Sequence, residues 1–181
     1  AVEDAGKIVA ALDRLNLRSH TLLGKGNTST LKIGGGYREY SVVVPERCEV
    51  VITRLTVPGE TRRIAVEDME ALVASLCLQS QVSVETAPPY YEPYVLQRES
   101  APMAAFEAAF REVLGRAPVI GGRRGITDAN IYVAEGGIPT VTFGPDGGGL
   151  HEANEFVEMA TLEPTARIYV ETARRYMTPQ A

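Results

Sequence analysis

Apolar residues Ile8, Val9, Leu12 and Leu15 recur at helical spacing within residues 2–17, which predicts an amphipathic helix packed on a sheet. Extended chain follows. Leu22-Leu23 leads through Gly24-Lys25-Gly26-Asn27 into Thr28 to Ile33, and Gly34-Gly35-Gly36 ends the run. A second extended stretch starts at Ser41 to Val44, is interrupted at Pro45, and resumes from Cys48 to Leu55, rich in valine and isoleucine. Pro58-Gly59 marks a turn. Val66, Met69, Leu72, Val73 and Leu76 then share one face of a second helix, with Glu67, Asp68 and Glu70 expected in its first turn. Val82 to Glu85 alternates and reads as a last strand. The order helix, strand, strand, helix, strand fits an α+β unit of the split βαβ, ferredoxin-like type, an antiparallel sheet with two helices.

Pro88-Pro89 and Pro93 form a stiff connector that resists helix and ladder pairing, dividing the chain into residues 1–87 and 88–181. Beyond it the pattern is that of an α/β segment of alternating elements. Met103 to Leu114 is helical, with Met103, Phe106, Phe110, Val113 and Leu114 on the buried side, Pro102 near the start and Gly115 after the end. Val119-Ile120 reads as a short strand before Gly121-Gly122-Arg123-Arg124-Gly125. Thr127 or Asp128 can cap a helix over Ala129 to Ala134, stopped by Gly136-Gly137. Ile138 to Phe143 reads as a short buried strand, and a final helix runs from Pro164 to Met177.

Length and composition leave room for one domain or two small ones, since 181 residues of which 45% are hydrophobic can supply a core. A formal charge of −5 argues against a nucleic-acid surface. Without an apolar run of about 18 residues or a basic-then-apolar start, neither a membrane span nor a signal peptide is expected, and the compartment predicted is the cytoplasm. Cys48 and Cys77 suit buried free thiols better than a disulfide framework.

Chemistry concentrates in Thr142 to Phe156, where three glycines after Asp146 let the backbone turn sharply or approach a ligand, and His151 opens the polar segment behind them. Its imidazole suits zinc or cobalt. One histidine cannot make a metal site, and a surface histidine in a loop fits the same pattern.

Several spaced motifs together carry a resemblance: Gly125-Ile126-Thr127-Asp128-Ala129, Gly137-Ile138-Pro139-Thr140-Val141, Phe143-Gly144-Pro145, and His151-Glu152-Ala153-Asn154-Glu155. The chain resembles, over nearly its whole length, the C-terminal half of the M20 family of metallopeptidases and amidohydrolases, which includes acetylornithine deacetylase, succinyl-diaminopimelate desuccinylase and carboxypeptidase G2. The resemblance implies a lid or dimerisation domain at residues 1–87, its first strand missing, followed by the closing part of a zinc-peptidase-like catalytic domain. The family's upstream His-x-Asp pair, bridging Asp, Glu-Glu pair and further acidic ligand have no counterpart, because the only histidines are His20 and His151 and no Glu-Glu occurs. The chain is therefore expected to be the later half of a two-zinc enzyme, with cobalt as a possible substitute, and inactive alone. The implied parent reaction is hydrolysis of an amide in a small N-acyl amino acid or peptide, in a homodimer joined through the lid. A derived non-catalytic dimerisation or binding module is the alternative.

The resemblance also assigns residues. His151 matches a terminal zinc ligand, and Glu155 a residue bracing the loop and the helix start, although a helix-capping acid beside the macrodipole would fit equally. Arg54 matches an arginine that contacts a substrate carboxylate, as a planar fork does well, although an exposed cross-strand charge would fit equally. The aspartate expected beside it is replaced at Ile52 or Thr53, and the asparagine before the Val-Pro step is missing at Ser41 and Val42. Thr127 and Asp128, with Gly147 and Gly148, complete the implied substrate contacts. Helix capping accounts for Thr127 and Asp128 nearly as well. No catalytic base is assigned.

Overall fold

The computed structural model describes residues 1–39 and 42–178, so that Ser41 lies outside the described residues. Two compact units form, one from Ala1–Pro93 with Gly122–Ile126, the other from Tyr94–Gly121 with Thr127–Ala181.

In the first unit, helix α1 spans Val2–Ala10 and gives way to a 3₁₀ turn over Leu12–Arg14. The single helix expected through residue 17 is thus shorter. Residues three apart eclipse in a 3₁₀ turn, so Leu12 and Leu15 still bury on one side, beside Ala11 and Leu72. Strands β1 (Ser19–His20) and β2 (Gly24–Lys25) form a short antiparallel ribbon, and β3 (Asn27–Gly35) pairs with β4 (Cys48–Leu55) from Asn27↔Leu55 to Gly35↔Cys48. A bulge between Thr30 and Lys32 leaves Leu31 out of the ladder and 66% exposed. Ile52 of β4 packs on the Leu12–Leu15–Leu72 cluster with Leu17, Met69 and Leu76.

Helix α2 (Arg62–Ala74) starts at Thr61, whose side chain accepts the Ile64 N–H at 3.4 Å. Glu67, Asp68 and Glu70 therefore lie in the middle of the helix rather than in its first turn. The start is set by the threonine cap, five residues before the apolar face begins at Val66. Val82–Glu85 is not a strand. Val82 and Val84 are half-buried and Ser83 and Glu85 exposed, as alternation demands, but a strand also needs a neighbour's N–H and C=O groups, and none pairs with it among the described residues. Both cysteines are free, Cys48 half-buried on β4 and Cys77 exposed just past α2, so burial fails for Cys77.

In the second unit, α3 (Ala101–Leu114) packs against α5 (Met159–Met177). Met103, Phe106, Phe110 and the fully buried Ile168 form its core, with Leu96, Val113, Val141 and Phe143 against it. The Phe143 ring centroid lies 5.1 Å from that of Phe106 and 5.8 Å from that of Phe110. Gly115 ends α3 in the left-handed conformation, as the sequence suggests, whereas Leu114 is 36% exposed. Helix α4 occupies Ala129–Ala134, and β5 (Gly147–Gly148) pairs antiparallel with β6 (Phe156–Val157). The other two strands expected here are absent: Val119 is 92% exposed, and Ile138–Phe143 joins no ladder among the described residues although Val141 and Phe143 turn to the core. Apolar alternation recorded which side faces the core and could not supply a ladder partner. The last helix begins five residues before Pro164, which sits inside it. The N–H that proline lacks would have met the carbonyl of Ala160, which is exposed and open to water.

Candidate functional site

His151 stands in the loop that joins β5 to β6. Gly147 pairs with Val157 and Gly148 with Phe156, and the ladder is extended by the Glu158 N–H donating to the Asp146 carbonyl at 2.8 Å. The glycines fit a close approach: a Cβ on Gly147 would lie 2.2 Å from the Phe156 carbonyl oxygen, and one on Gly148 2.8 Å from the Phe156 ring. The loop between them turns through left-handed backbone at Gly149 (φ 69°), His151 (φ 63°) and Asn154 (φ 67°). Histidine and asparagine are among the non-glycine residues that tolerate this region best. Glu155 accepts the His151 backbone N–H at 3.2 Å, and Glu152 donates its own to Gly149 at 2.8 Å. Glu155 thus braces the loop through the main chain of His151, leaving the exposed imidazole to be oriented by other means. At the other end, the Thr161 hydroxyl accepts the Asp146 N–H at 3.1 Å and fastens the hairpin to the start of α5.

Thr127 and Asp128 stand at the entry of α4. Asp128 occupies the cap position, yet its side chain makes no capping bond. Asn130 instead accepts the Thr127 N–H at 3.0 Å through its side-chain oxygen. The sequence reading credited the wrong side chain, because an asparagine two residues inside a helix reaches back as readily as a cap reaches forward.

Arg54, in the first unit, is neither exposed nor free. Its side chain is 8% exposed, Nη2 pairs with Glu60 and, at 2.6 Å, with Asp68, and Nη1 donates to the Ala65 carbonyl at 3.3 Å. Glu60 also accepts the Val57 N–H at 3.2 Å. Glu60 was missed from sequence, although a signal was present: the Pro58-Gly59 turn, with Gly59 at φ 89°, folds the sixth residue after Arg54 back onto it. The guanidinium is used inside the unit, joining β4 to α2. Gly147, Gly148 and His151 share one hairpin, Thr127 and Asp128 share one helix start, and Arg54 belongs to the other unit.

The family model described as peptidase family M20/M25/M40 matches residues 6–175. The chain belongs to this family. It is 35% identical to the succinyl-diaminopimelate desuccinylase of Alkalilimnicola ehrlichii over 86 residues, which are 48% of this chain and 22% of that protein. An M20 family metallo-carboxypeptidase from Sulfolobus solfataricus, known from its crystal structure, matches with a TM-score of 0.63 at 18% identity, over 97% of this chain and 42% of that one. At that identity the likeness speaks for the fold. The chain spans less than half the length of each of these M20 relatives.

Metal dependence is general among M20 metallopeptidases. Among the described residues, however, no three His, Cys, Asp or Glu side chains converge to hold an ion. His151 offers a single imidazole where a zinc site usually takes three or four protein ligands, so the residues present do not by themselves fit the metal. No helix of the described residues is long and apolar enough to cross a membrane.

Proposed function

We propose that this chain is the lid and closing catalytic segment of a zinc-dependent M20 amidohydrolase that cleaves an amide bond of an N-acyl amino acid or small peptide. The observation that carries the reading is His151 itself, raised on a two-rung hairpin, held in left-handed backbone by Glu155, and exposed at the ring. Glu155 fixes the main chain at His151 and leaves the ring exposed, an arrangement that suits a ligand presented to an ion. In this reading His151 contributes one metal ligand, with two zinc ions in the whole enzyme and cobalt able to substitute. The backbone at Gly147, Gly148, Thr127 and Asp128 lines the substrate cleft. Arg54 sets the corner between β4 and α2 through Glu60 and Asp68, and presents to a substrate carboxylate only donors that those partners leave. The first unit acts as the lid and joins two copies through the edges of the β3–β4 sheet that are unpaired among the described residues, where Leu31 and Ile33 are exposed. The reading places the enzyme in the cytoplasm.

The test is a pair of assays. The chain by itself is expected to turn over no N-acyl amino acid or dipeptide with zinc or cobalt added, and measurable turnover by homogeneous material would overturn the fragment reading. In a longer product of the same gene, His151→Ala is expected to lower zinc stoichiometry and turnover together. Unchanged zinc content would remove His151 from the ligand set.

A further inference from the structure

Carboxylates are unevenly spread. From Arg14 to Arg38 the sequence holds five lysines and arginines and no acidic residue, and from Val113 to Thr127 it holds three arginines and again none, in a chain of formal charge −5. The fold brings parts of these two stretches together within the first unit. Segment 122–126 crosses the turn of the β1–β2 ribbon so closely that a Cβ on Gly122 would lie 2.5 Å from the Leu22 carbonyl oxygen and 2.7 Å from the Leu23 side chain. Arg124 then donates from Nη2 to the Lys25 carbonyl at 3.0 Å. Arg18 adjoins the same ribbon, its carbonyl accepting the Gly26 N–H at 2.8 Å. Among the described residues, Arg18, Lys25, Arg123 and Arg124 form no ion pair.

Like charges gathered by backbone docking repel one another unless a counter-charge joins them, and their summed field attracts anions. The bond to Lys25 fixes one end of the Arg124 guanidinium, while its remaining N–H donors keep the fork geometry suited to carboxylate or phosphoryl oxygens. The one ring there is His20, whose Nδ1 accepts the Leu22 N–H at 3.2 Å, and no Phe, Tyr or Trp lies between Arg14 and Gly36 or between Val113 and Thr127, so a run of bases would find no stacking platform. We propose that this crossing is a binding site for a small, multiply charged oxyanion, one bearing two or more carboxylate or phosphoryl groups, held by Arg123, Arg124, Lys25 and Arg18. The site does not depend on the hydrolytic reading of the chain.

The experiment is a titration of the intact chain with citrate, succinate, pyrophosphate and acetate, followed by amide chemical shifts at about 20 mM ionic strength, where screening is weak. Saturable shifts are expected at Leu22–Lys25 and Gly121–Ile126, with citrate or pyrophosphate bound at least about tenfold more tightly than acetate, and weakening as salt rises. Which of those two binds better identifies the carboxylate or the phosphoryl class. The double variant Arg123→Gln/Arg124→Gln is expected to weaken binding about tenfold, while Arg63→Gln, which removes an exposed arginine paired with Glu67 on α2, leaves it unchanged. Gly122→Ala, which lifts the crossing without removing charge, is expected to weaken it as well. Absence of saturation up to about 2 mM, the ceiling at which the added anion still keeps the ionic strength near 20 mM, would overturn the site. So would shifts mapping elsewhere on the wild-type chain, an equal loss in Arg63→Gln, or binding confined to a single-stranded oligonucleotide.

Discussion

The backbone N–H of His151 donates to the Glu155 carboxylate at 3.2 Å, so the acid four residues on holds the loop by its main chain and not by its imidazole. This division of labour matters. The ring stays exposed for an outside partner while the backbone that aims it is fixed at φ 63°.

Glu155→Ala should therefore loosen the loop without unfolding the unit. The bond is exposed, and a net hydrogen bond of this kind contributes about 1 kcal/mol or less. Amide exchange at His151 is expected to accelerate by about fivefold, the equivalent of that energy, with Glu155→Gln close to wild type. Equal exchange in all three proteins would show that the left-handed turn is fixed by Gly149 and Asn154 alone.

Arg54 and Glu60 make the steepest demand on stability in the first unit. Glu60 has 1% of its side chain exposed, so Arg54→Ala would leave a carboxylate buried without its cation. Breaking such a pair from one side costs about 3–5 kcal/mol. Arg54→Met/Glu60→Leu is expected to recover much of that loss, and Asp68→Ala to cost far less because Asp68 is 36% exposed. Urea denaturation followed by circular dichroism ranks the three variants. A mild Arg54→Ala would mean that the guanidinium is free to serve a ligand.

Asp4 gives the fold a pH dependence at the acid end. Its carboxylate pairs with Lys7 at 2.8 Å and accepts the N–H groups of Gln79 and Ser80 at 3.0 and 2.8 Å, tying α1 to the chain beyond α2. The Lys7 bond first, then the bonds from Ser80 and Gln79, hold its pKa well below the usual carboxylate range against the opposing effect of burial. A depressed folded-state pKa contributes stability that is fully present above the unfolded value of about 3.9 and lost as pH falls through the folded one. The stability difference between wild type and Asp4→Asn should accordingly be constant from pH 5 to pH 8 and shrink below about pH 4. Lys7, raised chiefly by the same bond, adds a mirror effect that fades only in strong base. A gap unaltered down to pH 2 would show that it does not arise from the ionisation of Asp4.

Much of this was legible from residue order, and the failures share a cause. Helix faces were readable because their partners are local or interchangeable: Met103, Phe106 and Phe110 bury where their spacing puts them, and β4 has the bounds its valines and isoleucines suggest. Strands at Val82–Glu85, Val119-Ile120 and Ile138–Phe143 did not form, since pairing depends on a second segment that no local pattern reveals. The motif after Phe143 announced a glycine loop presenting His151. That Glu155 would grip its main chain, and that Asn130 rather than Asp128 would close the start of α4, depended on which of several short polar side chains reached a donor first.

The glycine pair before the loop permits a test of how the hairpin is held. Gly147 and Gly148 are adjacent in β5, but their spatial constraints differ. A methyl group on Gly147 meets the Phe156 carbonyl oxygen at 2.2 Å, with the Val157 Cα at 3.2 Å, so the backbone of the partner strand itself would have to move. On Gly148 the obstacle is the edge of the Phe156 ring at 2.8 Å, and that side chain is 58% exposed and free to swing away. Overpacking against immovable atoms costs about 1–3 kcal/mol, whereas a flexible side chain gives way for less. With only two paired positions in the ladder, Gly147→Ala should open the β5–β6 pairing, seen as faster amide exchange across Phe156–Glu158, while the Phe106–Phe110–Ile168 core remains protected. Gly148→Ala should preserve the pairing and shift mainly the Phe156 ring resonances. The opposite ranking would mean that the hairpin is fastened by Asp146 and Thr161 at its base, and that the close approach at Gly147 contributes nothing to how His151 is presented.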